Sequence, residues 1–182
     1  LGAGVTFSAG EWAPSHRCDL GGGRRYITRA EPDALAAFEC IATSSAGTAS
    51  VHAGEAMFTA ISPELSGAGG CNEGFLRDDA LLVVTLFASV DIDSDGHLPT
   101  WKNKLLEAKH GDPDAFFVLV ISHDGDIPDG LCPPYSKANR LRQFADYVPH
   151  GMFGSMCAKS YVPFFTDAAT AVLDLCDGFI PQ

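Results

Sequence analysis

Three aspartates spaced two apart, Asp91, Asp93 and Asp95, stand just before Gly96 in the run Ser89–Gly96, S-V-D-I-D-S-D-G. Carboxylates at that spacing ahead of a glycine form the first half of a calcium loop, D-x-D-x-D-G, whose oxygens suit a hard cation such as Mg²⁺ or Ca²⁺. The closing position of such a loop supplies a bidentate glutamate. Here that position is Lys102, whose ammonium cannot ligate. A helix–loop–helix calcium site is therefore excluded. A looser metal loop completed from elsewhere and a solvated acidic turn remain as readings.

A second oxygen-rich stretch is Ser122–Asp126, S-H-D-G-D. His123 beside Asp124 could serve acid–base work in a hydrolase of unknown type, but no nucleophile accompanies them, and ordinary turn chemistry accounts for the composition. Cys157 with His150 is a thiol–imidazole pair to be tested. Gly21–Gly23 before Arg24 and Arg25 could nest an anion, yet no helix start follows it. The sequence holds no G-x-S-x-G, H-E-x-x-H, phosphate loop or dinucleotide fingerprint. The six histidines show no metal-ligand spacing among themselves. These absences favour a domain without catalysis.

The elements that must position these residues are legible as apolar patterns. Leu81–Phe87 (LLVVTLF) and Phe116–Ile121 (FFVLVI) are continuous apolar runs, the signature of strands covered on both faces in a parallel sheet. Gly4–Ser8, Arg25–Thr28 and Met152–Ser155 read as weaker strands. Helical spacing occurs in five places. Leu35, Phe38 and Ile41 follow Pro32, with Pro32 in the first turn. Ala53, Met57, Ala60 and Ile61 form the second set. Trp101, Leu105 and Ala108 form the third, with Thr100 as its cap. Leu141, Phe144 and Val148 form the fourth. The last comprises Phe164, Phe165, Ala168, Ala169, Val172 and Leu175. Strands alternating with helices predict an α/β fold, a doubly wound and mostly parallel sheet with helices on both faces. Ligands of such sheets sit outside the carboxyl ends of the strands, where both aspartate-rich loops fall.

Composition sets outer bounds. The 182 residues suit one domain. Twelve Lys+Arg against 23 Asp+Glu give a net charge of −11, which repels phosphate backbones and argues against nucleic acid. The longest apolar runs fall well short of the roughly 20 residues of a membrane span. Six widely spaced cysteines predict up to three disulfides and an oxidising compartment, with the pairing open. The chain starts at Leu1 without Met, which reads as a processed product or a piece of a longer chain.

The run Cys71-Asn72-Glu73-Gly74-Phe75-Leu76-Arg77-Asp78-Asp79-Ala80-Leu81-Leu82-Val83-Val84, then an Asp-rich loop, then Trp101 and a second apolar strand, resembles a bacterial secreted branch of the von Willebrand factor A (vWA) domain family. Gly151–Ala158, Tyr161, Pro163-Phe164-Phe165 and Cys176-Asp177-Gly178-Phe179-Ile180-Pro181 are similar to that branch's closing strand and helix, and Gly4–Ser8 to its second strand. The resemblance implies a single vWA-like domain over 1–182, partial because it begins at the family's second strand. The first, central strand and its D-x-S-x-S are missing. It also implies a degenerate metal-ion-dependent adhesion site for Mg²⁺ or Ca²⁺, with Thr48 and Asp91 as its remnants and Asp93 and Asp95 beside them. The implied activity is non-catalytic binding or adhesion to an extracellular protein ligand. The implied setting is a secreted, surface-anchored or periplasmic bacterial protein. Loss of the shared central strand leaves two outcomes: support from a missing amino-terminal portion, or a sheet re-closed with Val5 beside Val83. The competing readings are a disulfide-stabilised structural domain with a calcium-holding aspartate loop, and the hydrolase.

Overall fold

The computed structural model describes residues 18, 20, 21, 26–42, 52–89, 97–134 and 140–179. The chain divides into two compact units, one of Val51–Ser62 with Leu76–Gln182 and one of Leu1–Ser50 with Pro63–Phe75.

The larger unit is an α/β layer structure. Its elements are α2 (Ala53–Ala60), β1 (Leu82–Phe87), α4 (Leu98–Ala108), β2 (Phe116–Ser122), α5 (Arg140–Tyr147), β3 (Gly151–Ser155) and α6 (Val162–Gly178); α1 (Ala34–Ala42) and α3 (Pro63–Ser66) belong to the smaller unit. The strands form a parallel sheet in the order β1-β2-β3. Leu82 pairs with Phe116 and Phe87 with Ile121, while Val118 pairs with Gly151 and Ser122 with Ser155. Both strong strand readings and the weaker one at Met152–Ser155 are therefore present. Every residue of β2 is buried, as its unbroken apolar run requires of a central strand covered on both faces.

Alternation along β2 splits the core in two. Phe116, Val118 and Val120 join Leu82, Leu86, Trp101, Leu105, Leu141 and Phe144 under α2, α4 and α5. Phe117 and Leu119 point the other way, onto Ala168, Phe164, Val172 and Leu175 of α6. Trp101 meets Phe144 edge-to-face at 5.2 Å between ring centroids, a geometry that aromatic quadrupoles favour. Gly54 lets α2 approach that indole: a Cβ there would lie 2.3 Å from the Trp101 ring.

Several local expectations need correction. Thr100 does not cap α4. The helix starts at Leu98 after His97, with Pro99 in its first turn, and Thr100 lies inside it. On α6 the inward stripe is Phe164, Ala168, Ala171, Val172 and Leu175, whereas Phe165 and Ala169 are exposed. A wide apolar stripe is ambiguous by one residue, and contact with Phe117 and Leu119 decides its centre.

In the smaller unit, α1 does not bury its large apolar side chains: Leu35 is 68% and Phe38 61% exposed. Ala37 is buried instead, on the side of the Cys18–Cys40 disulfide. The helix is capped by Asp33, whose Oδ1 accepts the Ala36 N–H at 3.0 Å, so Pro32 stands outside the first turn. Residues 26–28 form no strand. The Thr28 carbonyl accepts the Glu31 N–H at 3.0 Å in a turn, and Tyr26 turns to Phe75 and donates its hydroxyl to the Glu73 carbonyl at 3.2 Å. Local hydrogen bonding there competes successfully with strand pairing. The strand read at Gly4–Ser8 lies outside the described residues, as does Val5.

Candidate functional site at the carboxyl edge

The parallel strands bring the exit of β1 and the loops after β2 and β3 to one rim. The segment after β1 is held first. The Ser89 carbonyl accepts both the Ser122 hydroxyl at 2.8 Å and the His123 N–H at 3.1 Å, which ties the exit of β1 to the end of β2. Ser122 is fully buried, so this bond satisfies a hydroxyl that burial would otherwise penalise.

The loop after β2 closes around Asp124, which is only 4% exposed. One carboxylate oxygen accepts the Leu131 N–H at 2.9 Å and the other the Cys132 N–H at 2.8 Å. Burial pushes this acid up, but the bonds from Leu131, Cys132 and the Ser155 hydroxyl together outweigh it and hold the carboxyl below the usual carboxylate range. Asp124 thus anchors the loop by gathering its far end. Gly125 and Gly130 permit that closure: a Cβ on Gly125 would sit 1.9 Å from the Pro133 carbonyl oxygen, and one on Gly130 2.0 Å from that of Asp124.

Two further ties fasten this loop to its neighbours. The Cys132–Cys157 disulfide joins it to the turn after β3, with Cys132 Sγ 3.7 Å from the Ser155 hydroxyl. Asp126 forms a largely buried ion pair with Arg142 of α5. The turn after β3 is closed as well, because Tyr161 donates its hydroxyl to the Met156 carbonyl at 2.7 Å.

These partners define what the sequence-derived candidates do. His123 Nδ1 accepts the Gly125 N–H at 3.1 Å. Asp124 spends both oxygens on backbone donors. The two adjacent residues thus brace the loop through hydrogen bonds from its backbone. Cys157 is oxidised to a disulfide, so it is no nucleophile for His150, whose Nε2 faces Asp114 at 2.8 Å instead. Of the up to three disulfides expected, two are formed among the described residues, Cys18–Cys40 and Cys132–Cys157. Thr48, Asp91, Asp93 and Asp95 all lie outside the described residues. Among the described residues no group of three or more His, Cys, Asp or Glu could hold a metal ion.

Sequence reading missed the Asp126–Arg142 pair and the anchoring role of Asp124. A signal existed for the second: an aspartate ahead of two glycines and a cysteine is what a tight loop folded onto its own carboxylate needs. No known protein family, curated protein or solved structure matches the chain. The family resemblance thus rests on the quoted motifs. No helix among the described residues is long and apolar enough to cross a membrane.

Proposed function

We propose that the chain is a non-catalytic, vWA-like binding domain of a secreted or surface-anchored bacterial protein. It engages an extracellular protein ligand at the carboxyl edge of its sheet. The observation that carries this reading is the braced rim itself. β1 and β2 run parallel and end at a common edge, and the loops after β2 and β3 are locked there by Asp124 and a disulfide. Rigid loops at the carboxyl ends of parallel strands are where open α/β sheets place ligands. Two disulfides support an oxidising compartment.

In this reading Thr48 and Asp91 are what is left of a metal-ion-dependent adhesion site, with Asp93 and Asp95 beside them, and the cation is Mg²⁺ or Ca²⁺. Asp91 follows by two residues Ser89, whose carbonyl is bonded to Ser122 and His123 at the carboxyl edge. Thermal melting with added Mg²⁺ or Ca²⁺ tests it. A cation that prefers the folded chain raises the melting temperature, by about 2.7 kcal/mol of stability at a hundredfold excess over Kd. Asp91→Ala should abolish the shift. A shift with Ca²⁺ alone that survives Asp91→Ala would assign the remaining acids a structural calcium role. No shift with either ion at millimolar concentration would remove the metal from the proposal.

A further inference from the structure

We draw no further inference here: the strongest candidate, the exposed apolar face of the outer strand β1 at Val83 and Phe87, continued through Tyr161 to Val162 and Phe165 at the start of α6, carries nothing because nothing in the structure shows what covers it.

Discussion

The two rims of the parallel sheet are built by opposite means. At the carboxyl edge, among the described residues, Ser122 and Asp124 are buried and bonded to neighbouring segments, and a covalent bond crosses between the loops after β2 and β3. At the amino edge two histidine–aspartate pairs, His110 with Asp78 at 2.9 Å and His150 with Asp114 at 2.8 Å, tie the entries to the strands. The acids of both pairs stand mostly in solvent. Hydrogen bonding from His110 holds Asp78 below the usual carboxylate range, but solvent and salt screen a pair of that kind. One group at the amino edge breaks the pattern. Lys109 is 3% exposed, and its ammonium donates to the Arg77 and Ala80 carbonyls at 2.7 and 2.8 Å. Burial drives its pKa below the ordinary lysine value. The contrast teaches that the same sheet carries one rim whose loops after β2 and β3 are held in place and one rim fastened mainly by side-chain pairs whose acids stand in solvent. A rim of the first kind is what a recognition surface needs, because loops ordered before binding lose less entropy on binding.

Removing the Cys132–Cys157 bond should have the largest effect. The bridge closes a span with a sequence separation of 25. Loop-closure entropy then predicts that the double variant Cys132→Ser/Cys157→Ser loses about 3.5 kcal/mol of unfolding free energy. Urea denaturation of the larger unit measures it, and a loss below about 1 kcal/mol would make the bridge incidental to the rim.

Asp124→Ala comes next. It strands the buried Cys132 donor, at roughly 1–3 kcal/mol, while the N–H of the exposed Leu131 turns to water. The same residue predicts a pH dependence whose sign is fixed. Its folded pKa is depressed, so its contribution is fully present above the unfolded value of about 3.9 and is lost as pH falls through the folded value. Acid titration of the unfolding free energy should be steeper below about pH 4 in the parent chain than in Asp124→Asn. Identical slopes would show that the carboxylate charge does not hold the loop.

Lys109→Met keeps the length of the side chain and removes the two bonds to Arg77 and Ala80. The expected loss is about 1–2 kcal/mol, less than at Asp124 because relief of the buried charge offsets part of it. Hydrogen exchange at Leu82, the first residue of β1, should quicken in this variant. Unchanged exchange there would mean that the ammonium does not secure the entry to the sheet. The smallest effect belongs to Asp78→Asn. Its urea midpoint should stay within the scatter of replicate measurements at 0.15 M salt. A clear shift would erase the distinction between the rims.

The amount of this that could be read beforehand differs by element. LLVVTLF and FFVLVI are legible because an unbroken apolar run leaves no polar face for water, and the parallel pair is there. Trp101 and Leu105, and then Leu141, Phe144 and Val148, are legible because helical spacing places them on one stripe. The α1 stripe of Leu35 and Phe38 has the same spacing and yet faces solvent, because a periodic pattern proposes an inward face and only neighbouring elements accept it. His123 and Asp124 present the same difficulty at the rim. As a dipeptide they suggest catalysis, but their partners lie up to 31 residues away at Ser155, beyond any local motif. Asp91, Asp93 and Asp95 stand out by their spacing, and Thr48 and Asp91 also by the family resemblance; all four lie outside the described residues.

What the amino-acid sequence by itself determined is the α/β alternation, the buried central strand, the excess of negative charge and the arrival of aspartates at strand ends. All of these depend on residue type and short-range period. What only the tertiary structure decided is the employment of those aspartates: Asp124 as a backbone anchor, Asp126 as partner of Arg142, and the choice of Cys157 for Cys132. Those assignments depend on groups distant in the chain meeting at hydrogen-bonding range. The register of the parallel strands sets those distances, and residue spacing does not.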